Sequence, residues 1–302
     1  LPKIILAFKK FKPNIIVAPY DREESISIAL VATYMNIPIA HLGAGDITNV
    51  NVDGVIRHSV SKLSHIFFTS TKQGYERLIK MGEDKSRIYN VGHTVLDRYI
   101  NSKKISKKDL SNFYNFDFFS DPTILFIQHP VSNSFNQSAK EIKISLSVLD
   151  EMNLPTIIIL PNSDLGSYAI RKEINKYNFR NKKIKIFKNI PENYFVNTIK
   201  NISVIVGNSS MGVLEAPLFN IPVVNIGKRQ LGRENARNIL FVPHNKLKIK
   251  NAIKKSLFDK SYIKKIKYQK NPYKRLNASR EIAKILANIK IDQKLLNKKN
   301  TY

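Results

Sequence analysis

Thr123-Ile124-Leu125-Phe126-Ile127-Gln128-His129-Pro130 is the stretch on which the fold turns: an apolar, strand-sized run that breaks into a polar loop at His129. Before it, from Asn101 to Pro122, the chain is polar and rich in Ser, Asn and Asp. On the far side of that stretch, strand-like runs at Asn14 to Ala18, Ile39 to His41, His65 to Thr69 and Ile88 to Val91 alternate with amphipathic segments at Glu23 to Tyr34, Asp53 to Lys62 and Lys72 to Met81. Thr123 restarts the series, which continues through Pro155 to Leu160, Ile184 to Phe187, Ser203 to Val206 and Pro222 to Ile226. Short apolar strands separated by helix-length segments are the pattern of parallel sheets with crossover helices. Two doubly wound α/β halves follow, with the boundary in the polar stretch: a first domain over 1–115 and a second over 116–302. No glycine follows Gly232, and the Lys-rich remainder reads as helices at Lys246 to Leu257 and Asn277 to Ile289 with a frayed tail from Gln293.

The 302 residues, 43% of them hydrophobic, are enough for two such cores. Lys+Arg 50 against Asp+Glu 23 gives +27, which raises nucleic acid or an anionic membrane as a partner. The excess is dispersed and accompanies many Ile and Asn residues, a coupling that AT-rich coding produces without selection for binding. No RNP, helix-turn-helix or zinc pattern accompanies it. The lack of cysteine excludes a disulfide framework, a thiol nucleophile and thiolate metal sites, and fits a reducing, cytoplasmic setting. No apolar run approaches the roughly 20 residues of a spanning helix, so a soluble chain is expected.

Ligands of open α/β sheets bind where strands end and helices begin. The first strand runs into Pro19-Tyr20-Asp21-Arg22-Glu23-Glu24, where Asp21 is either a helix cap or a working carboxylate. The second runs into His41-Leu42-Gly43-Ala44-Gly45-Asp46-Ile47-Thr48, whose two glycines would let backbone approach a ligand. Thr48 stands where a dinucleotide fingerprint needs its third glycine, and no acidic ribose partner follows, which argues against a nicotinamide cofactor. In Asn51-Val52-Asp53-Gly54-Val55-Ile56-Arg57-His58, Asp53 and Arg57 lie one helical turn apart, as an exposed i,i+4 pair or a functional couple.

The densest cluster is Gly207-Asn208-Ser209-Ser210-Met211-Gly212-Val213-Leu214-Glu215-Ala216-Pro217. Ser209 and Ser210 at a helix start leave N–H groups that attract phosphate, and Glu215 sits about one turn further, within reach of ribose hydroxyls. Asn225-Ile226-Gly227-Lys228-Arg229-Gln230-Leu231-Gly232-Arg233 places cations beside glycines at the next strand end, which suits a diphosphate. His129 ends its strand at a domain-facing loop. Neither an HExxH pair nor a carboxylate cluster of metal spacing occurs, so no metal and no cofactor are expected.

Together these residues resemble the UDP-N-acetylglucosamine 2-epimerase family, in particular its hydrolysing branch, which makes N-acetylmannosamine for sialic-acid-type sugars. The resemblance runs from about Pro13 to Leu286. Its carriers are Asp21-Arg22, Asn36-Ile37-Pro38 before His41, Asp53 to His58 followed by Ser61-Lys62-Leu63-Ser64-His65, and Val91-Gly92 with Leu96-Asp97. The second half adds His129-Pro130, Pro161-Asn162-Ser163-Asp164, Gly207 to Pro217 and Asn225 to Arg233. It implies a GT-B-like pair of Rossmann-type domains with a nucleotide sugar in the cleft between them. Asp21 and Asp53 match the family's acid/base carboxylates, Arg57 their partner, and His129 a cleft histidine. Ser209, Ser210 and Glu215 match UDP-binding positions and Arg229 a cleft arginine, with Asn162, Asp164, Asn208 and Arg233 as further substrate contacts.

The chain departs from the family in three places. Tyr20 stands where a glycine usually precedes the first Asp. Gly43 stands where many members carry a catalytic Glu, leaving Asp46 as the candidate replacement. Lys274-Arg275-Leu276, in place of Gly-Asp-Gly, follows Asn271-Pro272-Tyr273.

The implied reaction eliminates UDP to a 2-acetamidoglucal and hydrates it with inversion at C2. The Asn51 to His65 and Asn225 to Arg233 wording favours release of the free sugar. A non-hydrolysing epimerase, a GT-B glycosyltransferase and a basic nucleic-acid-binding protein are the rival readings. The expected partner is a small UDP-sugar, with no nucleic acid and no membrane, in a homo-oligomer. Because the chain opens at Leu1 on an amphipathic run, Ile4 to Phe11, roughly two βα units of the first domain are expected to be missing at its N-terminus. Such a chain would bind UDP through its second half and epimerise poorly.

Overall fold

A computed structural model of the chain describes all residues except 48–51, 118–120 and 302, and leaves the side chains of 132–133 undescribed. Thr48 and Asn51, quoted above, lie outside the described residues. Among the described residues the strands form two parallel sheets, of four and six strands. The chain divides into two compact units, Leu1–Asp97 with Gly232–Glu234 and Pro272–Tyr302, and Arg98–Leu231 with Asn235–Asn271.

In the first unit β1 (Ile16–Pro19), β2 (Ile39–Leu42), β3 (Ile66–Thr69) and β4 (Ile88–Asn90) lie in that order. The helices α1 (Pro2–Phe11), α2 (Glu23–Tyr34), α3 (Val52–Leu63) and α4 (Lys72–Lys80) accompany them. Ala18 lies opposite His41 and Pro19 opposite Leu42, so β1 and β2 end level with each other. Tyr20–Asp21 and Gly43–Asp46 therefore leave the sheet side by side. Ile16, Ala18, Ile39 and Val60 pack on one face of this sheet, and Ala40, Ile66, Phe68 and Val91 form a second cluster.

After α5 (Thr94–Asn101) and α6 (Lys107–Tyr114), the second unit strings β5 (Ile124–Ile127), α7 (Ser138–Met152), β6 (Thr156–Ile159), α8 (Ser167–Lys176), β7 (Ile184–Phe187) and α9 (Glu192–Ile199). It continues with β8 (Val204–Gly207), α10 (Met211–Leu214), β9 (Val223–Ile226), β10 (Ile239–Val242), α11 (Lys246–Phe258) and α12 (Lys260–Lys267). The order β10-β9-β8-β5-β6-β7 puts the wholly buried β5, β8 and β9 inside and the half-covered β7 and β10 at the edges. This matches composition: Lys185 sits in edge strand β7, whereas β5 is Ile-Leu-Phe-Ile throughout. Helix starts are fixed by side-chain caps, such as Asn245 accepting from the Lys248 N–H at 3.0 Å.

Two expectations for the C-terminal part fail. The remainder after Gly232 is not all helical, since Ile239–Val242 adds a strand beside β9. Nor is the tail frayed from Gln293: after α13 (Ala278–Asn288), α14 (Gln293–Leu296) buries Leu295 against Ile66 and Phe68 of the first unit. Arg87 donates to the carbonyls of Leu295 and Lys294, each at 2.7 Å, and Lys298 reaches the buried Glu83 carboxylate at 3.1 Å. Among the described residues no helix is long and apolar enough to cross a membrane.

Candidate functional site

In the second unit the winding reverses between β5 and β8, which pair with each other and lead to opposite halves of the sheet. Such a switch point opens a crevice beyond the strands' carboxyl ends. Gly207 lies at φ 131, and a Cβ there would run into the Ile127 carbonyl, so glycine lets the two strand ends meet. The next residues clasp. His129 N–H donates to Asn208 Oδ1 at 2.7 Å, and Asn208 Nδ2 donates back to the His129 carbonyl at 2.9 Å. Arg229 and Gln230 donate to the Asn208 carbonyl at 3.2 and 3.1 Å.

Beside this clasp is a hollow of about 500 Å³ whose wall includes His129, Asn162, Ser209, Ser210 and Glu215. Sequence reading missed Tyr99, Arg171, Lys188 and Asn189 in the same wall. Lys188 and Asn189 follow β7 directly, so the strand-end rule would have found them; nothing marks Tyr99, on α5, or Arg171, on α8. Arg171 steadies the Asn162 loop by donating to the carbonyls of Pro161 and Asn162, both at 2.9 Å. Asn208 and Arg229 support the wall from behind, and Asp164 acts electrostatically on His129. The helix after Ser210 is one turn, α10, running into a 3-10 turn at Ala216–Phe219. A phosphate there would meet a few amide N–H groups rather than a long helix dipole. A hollow of this size lined by amides, hydroxyls, cations and one buried carboxylate suits a polar small molecule.

The first unit carries two ion pairs at the ends of β1 and β2, each with a buried arginine. Arg57, only 2% exposed, pairs with Asp21 and donates to the Gly43 carbonyl at 2.7 Å. Arg57 is therefore not an exposed surface residue: the level strand ends offer its guanidinium a carboxylate and a carbonyl. Asp53 stays half-buried in the first turn of α3. Asp46 pairs with Arg233, whose Nε donates to Oδ2 at 3.0 Å. Burial alone would raise the Asp46 carboxyl, but the nearby Arg233 and Arg57 outweigh it and hold the group below its ordinary range. Arg233 thus falls within the first unit.

The two glycines after β2 face protein, not open space for a ligand. A Cβ on Gly45 would strike the Gly74 carbonyl, and one on Gly43 would sit 2.5 Å from the Tyr20 ring. Tyr20 itself is left-handed at φ 55, a conformation that favours glycine, and this non-glycine residue is held there from several sides. Its ring stacks on His93 at 5.2 Å, its hydroxyl bonds Thr94 Oγ1 at 2.7 Å, and its carbonyl lies 2.8 Å from His41 Nε2.

Burial holds His41 neutral down to about 3, and His93 and His129 to about 4, against an ordinary 6.5. The unfolded chain takes up protons below pH 6.5 that these folded imidazoles refuse, so stability is full above that value and falls as pH drops toward 4. At about pH 5 each should cost on the order of 1–2 kcal/mol. The thermal midpoint is expected to be clearly lower at about pH 5 than at about pH 7.5; equal midpoints would show that these rings are not held neutral.

Residues 1–287 match the family model described as UDP-N-acetylglucosamine 2-epimerase. Over 296 residues the chain is 33% identical to the UDP-N,N'-diacetylbacillosamine 2-epimerase (hydrolyzing) of Legionella pneumophila, covering 98% of this chain and 76% of that protein. It is 34% identical to the GDP/UDP-N,N'-diacetylbacillosamine 2-epimerase (hydrolyzing) of Campylobacter jejuni, covering 78% of this chain and 61% of that protein, less than two thirds of its length. The UDP-GlcNAc 2-epimerase of Neisseria meningitidis, solved with UDP-GlcNAc bound, superposes with a TM-score of 0.82 at 20% identity over 95% of this chain and 80% of that one. The α/β, GT-B-like fold with two Rossmann-type sheets expected from sequence is the fold observed.

Proposed function

The chain belongs to the UDP-N-acetylglucosamine 2-epimerase family, and from that premise we propose that it is a hydrolysing 2-epimerase of a UDP-2-acetamido sugar. The observation that carries the reading is the 33% identity over 296 residues to a relative named as hydrolyzing. In the proposed reaction a carboxylate removes the C2 proton while the C1–O bond to UDP breaks, leaving a C1=C2 glycal. Water then adds its hydroxyl to C1 and a proton reaches C2 from the opposite face, giving UDP and the free C2-epimer. Proton loss and return at different places call for more than one carboxylate, and the departing diphosphate calls for cations and amide donors.

We assign the acid/base work to Asp21, Asp53 and Asp46. Arg57 pairs with Asp21, and Arg233 pairs with Asp46 and helps hold that carboxylate ionised. The UDP moiety is assigned to the second unit, with Ser209 and Ser210 toward phosphate, Glu215 toward ribose hydroxyls, and the neutral His129 and Arg229 beside them. Glu215 is 8% exposed and lines the hollow. Glu215→Ala is therefore expected to weaken UDP binding about 10- to 100-fold with an unchanged fold. Calorimetry giving wild-type affinity would remove Glu215 from the site.

Two of the relatives are named for a diacetamido sugar, so UDP-N,N'-diacetylbacillosamine comes first and UDP-N-acetylglucosamine second among substrates to test. Mass spectrometry of products from a panel of UDP-sugars should find a free sugar of inverted C2. Products that all stay attached to UDP would replace the reading with the non-hydrolysing one.

A further inference from the structure

Tyr273 lies in the Asn271-Pro272-Tyr273 segment, which has no role in the reaction as assigned above. Its side chain is wholly buried, among the largest in the protein to be so. Its hydroxyl donates to the Glu234 carbonyl at 2.7 Å, and the same phenol oxygen accepts from the Arg233 guanidinium. Arg233 in turn donates from Nε and Nη2 to Asp46. One hydroxyl therefore bonds both the backbone beside Arg233 and its guanidinium. The Tyr273 ring also meets His93 edge-on at 6.4 Å, and His93 stacks on Tyr20, the residue before Asp21.

We propose that Tyr273 is a positioning residue: through its hydroxyl it sets the fork of Arg233 against Asp46, and so keeps the Asp46 carboxylate ionised and aimed for proton transfer. A guanidinium bonds two partners in one plane, so an oxygen on one edge restricts how the other edge meets a carboxylate. Among the described residues, Arg57, His58, His93 and Tyr273 act on Asp46 besides Arg233. The two histidines are kept neutral largely by burial, which leaves Arg233 as the group whose movement changes Asp46 most.

The inference rests on the reading that the chain is a 2-epimerase, and its test has an arm that does not. Tyr273→Phe removes one oxygen and keeps the ring. With Arg233 loosened, burial regains weight and the Asp46 carboxyl should titrate at a higher pH, which NMR of carbon-labelled aspartate reads directly, using Asp46→Asn for assignment. In turnover, kcat should fall about tenfold with KM changed less than about twofold, and the acid limb of the kcat profile should move to higher pH. A thermal melt matching the wild type serves as the control for folding. If the wild-type protein turns over no UDP-2-acetamido sugar, the functional reading fails, while the Asp46 titration still decides the positioning role.

A folded Tyr273→Phe protein with an unchanged Asp46 midpoint overturns the proposal. Should that variant not fold, Arg233→Lys keeps the charge without the planar fork. The Asp46 midpoint should then rise too, and no rise would show that the fork held by Tyr273 is unnecessary.

Discussion

Asp46→Asn is expected to destabilise the protein by about 3–5 kcal/mol, because it leaves the Arg233 guanidinium buried without its carboxylate. Asp46 is 8% and Arg233 7% exposed, so neither can turn to water for compensation. A buried pair replaced whole by apolar residues of similar volume commonly regains that stability. Asp46→Leu combined with Arg233→Met should therefore recover most of the loss in urea denaturation. It should recover no turnover, since the carboxylate assigned to proton transfer is gone. A double variant that is both stable and active would reduce the pair to a structural one and leave the missing counterpart of the Gly43 position unfilled.

The second large effect is expected at Asp53. Asp53→Asn keeps size and most hydrogen-bonding capacity while removing the base. Because Asp53 is half-buried at the start of α3 and the amide has the same shape, the fold should tolerate the change. Turnover should fall about a thousandfold, in the range for removing a general base, with UDP affinity unchanged in the second unit. Wild-type turnover in this variant would leave Asp53 with only its place in the first turn of a helix, where an acid is favoured by the dipole.

The strands were legible because buried parallel strands must be apolar throughout, as Ile124–Ile127 and Val204–Gly207 are. The helix Glu23–Tyr34 was legible from its first-turn acids and its length between two strands. Ile239–Val242 was not, since an edge strand of four residues between a polar loop and a Lys-rich helix carries little periodic signal. The tail failed for another reason: Leu295 is one apolar residue among lysines, and only the tertiary pocket of Ile66 and Phe68 gives it a place.

Strand ends pointed to Asp21, Asp46, His129 and Asn208, which lie in the loops that follow β1, β2, β5 and β8. The partners were hidden. Arg57 with Asp21 spans 36 positions and Arg233 with Asp46 spans 187, separations at which no local spacing rule operates. Gly43 and Gly45 misled for a related cause. A glycine signals close approach without naming what approaches, and here it is the Tyr20 ring and the Gly74 carbonyl.

Turnover in heavy water tests the central claim most directly. With a UDP-2-acetamido sugar as substrate, proton and carbon NMR should find UDP and a free sugar in equal amounts, the sugar inverted at C2 and carrying one deuterium there. UDP released together with a sugar that keeps its original C2 hydrogen and configuration would contradict the account.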